Sequence, residues 1–361
     1  MSFGVVQAEK MTTESGYSLG AGNASSFKNR IINPGMVIDQ RNAGASVTAN
    51  DGVFAVDRFR FSMTQSSKGT GQRSSTAPAG FTNSLLFTSS AATSVGSSDQ
   101  FAVVQPIEGY NIADLGWGAA GAKSVTLSFW VRSSLTGTFG GALQNQSANR
   151  SYPFTYTITT ANTWELETIT VPGDTTGTWD TTNSGGIRVF FGLGMGSTFS
   201  GTANAWAGAN YQSATGATSV VSTNGAAFYI TGVQLEVGTV ATSFDFRSYG
   251  AELALCQRYA YVQSGVAGDR CGFGYCGTAT LFNLVVPLPV TMRTAPTLTS
   301  CSPIQVNDNN SGYNSSAITI GDQITNTCVN LKVTSSGMTI GRGAQAYWSP
   351  SAGSMILSAE L

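Results

Sequence analysis

The chain has 361 residues, of which 10% are charged and 43 are glycine, with serine and threonine as common as glycine. Helices are normally filled with Ala, Leu, Glu, Lys and Arg, so this composition argues for strands and turns. A formal net charge of -1, with the basic residues scattered, excludes a cationic face for nucleic acid, and the absence of His excludes Ser-His and Cys-His hydrolase dyads.

The length predicts one large domain and a smaller one. No run reaches about 18 apolar residues, so no membrane-spanning helix is expected. The opening residues lack the basic-then-apolar pattern of a secretory signal.

Residues 1–26 carry no sustained period and end in GAGNASS, a composition that predicts a docking arm without a core of its own. The run VFAVDRFRFSM alternates imperfectly, with Phe54, Val56, Arg58 and Arg60 on one side, and reads as one strand. Alternation is clearest in KSVTLSFWVRSS, where Val125, Leu127, Phe129 and Val131 share a face. Further strand candidates follow at short spacing between Gly, Asn, Asp and Ser turns. The expected fold is therefore all-β, with residues 27–248 forming an antiparallel β-sandwich of jelly-roll type. Residues 196–219 are expected to form a long loop at one end of it.

In SYGAELALCQRYAYV, Leu253, Cys256, Gln257 and Ala260 recur at helix spacing, predicting a connecting helix over residues 249–261. Short strands beyond it predict a small C-terminal β domain over residues 262–361. All five cysteines, Cys256, Cys271, Cys276, Cys301 and Cys328, fall in the last third. Without a finger spacing or His, they are expected to be reduced and mostly buried, Cys271 with Cys276 being the most plausible pair if a disulfide forms.

Glycan cleavage needs two carboxylates across a groove, whereas Glu165 and Glu167 lie two apart on one strand face and are explained by solvation. The turn at residues 307–314 offers a cation only one carboxylate, Asp308. The glycines at Gly192, Gly194 and Gly196 follow a strand without opening a helix, so they make no phosphate cradle. No metal and no cofactor are expected. Trp117, Trp164, Trp179, Trp206 and Tyr211 fall in or beside loops rich in Asn, Gln and Asp. Trp206 and Tyr211, and Tyr347 and Trp348 in the C-terminal part, are the glycan-binding candidates, because exposed rings stack on sugar faces.

The strings NRIINPGMVIDQRNAG, FAVDRF, VTLSFWVRSS, ITVPGDTTGTW and FYITGVQLEVGTVATSFDFRSYGAELALCQRYAYV together resemble a family of bacteriophage virion proteins, the tail fibre and receptor-binding proteins of tailed phages. The resemblance covers about residues 20–262. It implies a jelly-roll carbohydrate-binding-like module in a phage particle assembled in the host cytoplasm, with no catalytic residues carried by the motif. A non-enzymatic homotrimer is expected, attached to other virion proteins by its N-terminal arm and to host surface glycan by its distal part. A capsid-decorating, baseplate or connector subunit is the alternative, and a polysaccharide depolymerase a remoter one.

Overall fold

Val125, Leu127, Phe129 and Val131 are fully buried while Trp130 and Arg132, on the opposite face, are only partly so, and the first face is the inner wall of the first domain. The computed structural model describes residues 10–12, 18–20, 27–308 and 311–361. The predicted arm lies mostly outside the described residues. Within it β1 (Lys10–Thr12) and β2 (Ser18–Gly20) pair antiparallel, Met11 opposite Leu19.

Two six-stranded antiparallel sheets form the jelly-roll sandwich. The first runs β11 (Ser151–Ile158), β10 (Gly137–Asn145), β13 (Gly185–Met195), β8 (Gln100–Glu108), β5 (Phe59–Met63), β4 (Phe54–Val56). The second runs β12 (Glu165–Val171), β9 (Val125–Ser133), β16 (Ala227–Val237), β7 (Ser84–Ser89), β6 (Gly69–Ser74), β3 (Val47–Thr48). Phe61, Phe87, Phe101, Phe129, Phe139, Phe154 and Phe191 fill the space between them. Each ring so buried contributes about 1.5–3 kcal/mol over an exposed one.

The run VFAVDRFRFSM is a hairpin rather than a single strand. Arg58 takes φ +71°, the chain reverses at Asp57 and Arg58, and Phe54 then pairs with Arg60 and Val56 with Phe59. Residues 196–219 do not hang at one end. They include the short parallel pair β14 (Ser200–Gly201) and β15 (Ser213–Ala214), which lies on the outer face of the first sheet. Glycine makes that contact possible: a Cβ on Gly140 would stand 2.3 Å from Ser213 Oγ, and one on Gly192 3.0 Å from the same atom.

The chain divides into two compact units between Tyr249 and Gly250. The helix α1 spans Tyr249–Gln257, and Ala260, predicted to extend it, instead opens β17 (Ala260–Gly265) opposite Ser358. In the second unit β17, β26 (Gly353–Ser358) and β20 (Thr297–Cys301) form a three-stranded sheet. A seven-stranded sheet runs β22 (Gly312–Asn314), β21 (Ile304–Asn307), β25 (Gly343–Trp348), β18 (Arg270–Thr278), β19 (Leu281–Pro287), β24 (Cys328–Thr334), β23 (Ala317–Ile320). Phe282, Leu284, Leu331, Trp348, Met355 and Leu357 form the core of this unit.

Candidate functional site

Trp206 is half-buried and serves the sandwich. Its ring meets Trp117 at 5.4 Å, Trp179 at 5.6 Å and Tyr152 at 5.2 Å, all edge to face, and its Nε1 donates to the Pro172 carbonyl at 2.9 Å. Arg150 lies 5.6 Å over the same ring while its Nε donates to Asp174 Oδ2 at 2.9 Å. Burial works against ionisation of Asp174, but Arg150 and the Trp179 indole outweigh it and hold the carboxyl below its ordinary value. Tyr211 is likewise partly buried, its ring pressed against Gly201, where a Cβ would meet Tyr211 Cδ2 at 2.2 Å. Beneath it Gln144 Nε2 donates to Asn210 Oδ1 at 2.8 Å and Gln212 Nε2 to Gln100 Oε1 at 2.8 Å, so side chains of residues 196–219 occupy this sheet face.

The outer face of the second sheet carries a hollow of about 430 Å³ walled by Phe81, Trp130, Leu166, Phe244 and Phe246. The three phenylalanine rings pack within 4.7–5.6 Å of one another. Its polar groups are few, and the Thr242 hydroxyl is spent on Glu236.

Tyr347 and Trp348, the other two glycan-binding candidates, are consecutive residues of β25 and therefore point to opposite faces. Trp348 is 2% exposed, which removes it from any glycan surface. Its ring fills a slot that only glycine leaves open: a Cβ on Gly265 would approach Trp348 Cδ1 to 2.8 Å, and one on Gly353 would approach Cε3 to 2.5 Å. Tyr347 lies on the other face, with its hydroxyl donating to Gln345 Oε1.

Around Tyr347 the seven-stranded sheet assembles a group that no single motif announces. Arg270 pairs with Tyr347 across β18 and β25, Phe273 with Gln345, and Tyr275 with Gly343, and residues directly opposite in a ladder share a face. A register shift between Arg270 and Gly272 puts Arg270 and Phe273, three apart, on the same side. The Arg270 guanidinium lies 5.7 Å over the Tyr347 ring and its Nε donates to Gln345 Oε1 at 2.8 Å. Phe273 and Tyr275 are 61% and 53% exposed. Arg270 and Phe273 also border a hollow of about 420 Å³ whose other walls include Tyr261, Gln263, Val285 and Pro287. The one signal in the sequence is GFGYCG, two aromatics separated by glycine at strand period.

Glu165 is spent on the turn before β12, accepting the Thr159 and Thr160 N–H groups at 2.9 Å. Glu167, on the same strand face, has its carboxyl raised above the ordinary value by burial and then by Glu165. The two carboxylates do not face each other across a cleft. Among the described residues no group of three or more His, Cys, Asp or Glu could hold a metal, and no helix is long and apolar enough to cross a membrane. Asp308 is buried and accepts the Thr339 N–H at 2.9 Å, while Asn309 and Asn310 lie outside the described residues.

Cys256, Cys271 and Cys276 are buried, Cys301 and Cys328 partly so. Cys271 and Cys276 stand five residues apart along β18, about 16 Å at strand rise, beyond the reach of a disulfide. Burial, then the neighbouring Cys301, pushes the Cys271 thiol up to about 12.

The fold and this surface define a two-domain all-β protein, a jelly-roll sandwich followed by a smaller domain with an aromatic and polar sheet face. No protein-family model matches the chain, and no curated protein matches it. Among solved structures, the chain is similar to the enzymatically active domain of tailspike protein 4 from bacteriophage CBA120, at 13% identity and a TM-score of 0.33, covering 59% of this chain and 22% of that domain's chain. It is similar to a putative sugar binding protein from Bacteroides thetaiotaomicron, at 12% identity and a TM-score of 0.33, covering 58% of this chain and all of that one. A family 11 carbohydrate-binding module from Clostridium thermocellum, solved with a mixed-linked tetrasaccharide, aligns at 12% identity and a TM-score of 0.28, over 56% of this chain and 99% of the module.

Proposed function

We propose that this protein is a non-enzymatic adhesin of a tailed-phage particle, homotrimeric, that attaches the virion to host surface glycan through its C-terminal domain. The observation that carries this reading is the sheet face of Arg270, Phe273, Tyr275, Gln345 and Tyr347. Exposed rings supply the flat apolar surface that a sugar ring covers, and a guanidinium and a carboxamide beside them supply hydrogen bonds to its oxygens. Weak single-site affinity is raised by presenting several copies on one particle. The jelly-roll sandwich is the supporting element in this reading, since its own side chains occupy the surfaces around Trp206 and Tyr211. The sequence resemblance to phage tail fibre proteins supports a virion location, with residues 1–26 docking to other virion proteins. Glu165, engaged by backbone N–H groups, supports binding without cleavage.

The test is saturable adsorption of the purified chain to host cells, with release of reducing sugar measured in parallel. Phe273→Ala and Tyr347→Ala should lower adsorption several-fold while the fold is retained, and no sugar should be released. Adsorption unchanged in both variants, with the wild-type protein imaged away from the tail, overturns the reading in favour of a decorating or connector subunit.

A further inference from the structure

We infer that the C-terminal sheet face selects an acidic glycan, one carrying a carboxylate or sulfate on its sugar. This rests on the glycan-binding reading above and names the ligand class for that surface. Gln345 Oε1 already accepts from two donors, Arg270 Nε at 2.8 Å and the Tyr347 hydroxyl, so the acceptor of this carboxamide is used and its Nε2 remains to donate. Fixing Nε also fixes the guanidinium plane, leaving the two terminal nitrogens of an exposed Arg270 as a fork of donors. The Tyr347 proton is committed and its ring lies under the guanidinium.

The acids near Arg270 are engaged by other groups. Asp269, next in sequence, accepts the Val266 N–H at 3.0 Å, and Asp322 is held by Lys332. The surface thus sets an oriented cation and the Gln345 amide donor beside two exposed rings. A carboxylate or sulfate can accept two charge-assisted bonds from such a fork, which a neutral hydroxyl cannot. Charge complementarity therefore favours the acidic sugar, its anionic group on Arg270 and Gln345 and its apolar face on Phe273.

Affinity electrophoresis of the full chain through gels containing polygalacturonate, dextran sulfate or neutral dextran tests this. Retardation by at least one of the two acidic polymers is expected, with none by dextran, and the retarding polymer identifies carboxylate or sulfate as the anion. Arg270→Gln should weaken that retardation about tenfold or more, the loss of a charge-assisted bond, while Arg270→Lys retains part of it. Circular dichroism of each variant establishes that it is folded. Equal retardation by dextran keeps glycan binding and overturns the acidic preference. Retardation by both polyanions that Arg270→Gln leaves unchanged is diffuse charge attraction and also overturns it. No retardation by any of the three, together with absent cell adsorption, removes the glycan reading itself.

Discussion

The indole Nε1 of Trp206 donates to the backbone carbonyl of Pro172 at 2.9 Å, tying residues 196–219 to the chain just after β12. An indole so held, inside a cluster with Trp117, Trp179 and Tyr152, contributes chiefly to stability. Trp206→Ala is expected to cost about 2–4 kcal/mol, at or below the range for fully buried tryptophan, read by urea denaturation. Trp206→Phe keeps most of the ring packing and should cost about 1 kcal/mol for the lost hydrogen bond. Glycan binding should be the same in both folded variants, because the proposed surface is in the other unit.

The seat of Tyr211 is Gly201, and it has no room for a methyl group. Gly201→Ala should destabilise the sandwich by about 1–3 kcal/mol as the ring is displaced. Faster proteolytic cleavage within residues 196–219 should accompany the lower melting temperature. Cleavage at the wild-type rate would show that the ring moves without loosening the segment.

Trp348 fills the core of the C-terminal unit between Gly265 and Gly353. Trp348→Ala should cost about 3–5 kcal/mol, whereas Phe273→Ala, on an exposed site, should stay within about 0.5 kcal/mol. Denaturation curves of the two variants side by side check the contrast. A mild effect of Trp348→Ala would contradict its burial.

The buried thiols make the second unit sensitive to alkali. Burial raises Cys271 from 9.0 to about 12, with Cys301 adding to it, and burial raises Cys301 to about 11. The folded chain thus holds these protons more tightly than the unfolded chain, so the stability they contribute is full below pH 9 and is lost as the pH climbs from there toward 12. Thermal unfolding followed from pH 8 upward should show a falling midpoint above pH 9. Cys271→Val, which cannot ionise, should flatten part of that fall.

The period-two run from Val125 to Val131 was legible in the sequence because alternation is local and one face of the strand is dry. Composition likewise determined the all-β class, since the charged residues that fill helix surfaces are scarce and Gly, Ser and Thr abound. The break at Asp57 and Arg58 was not legible, because both halves of the hairpin continue the same alternation and only a positive φ at Arg58 separates them. Nor could sequence decide between Tyr347 and Trp348. Adjacent aromatics in a strand take opposite faces, and which face is core depends on what the other sheet presents, here the gap between Gly265 and Gly353. The grouping of Arg270 with Phe273 was decided by tertiary structure alone: in an unbroken strand residues three apart oppose each other, and the shift in pairing between β18 and β25 puts both on one side.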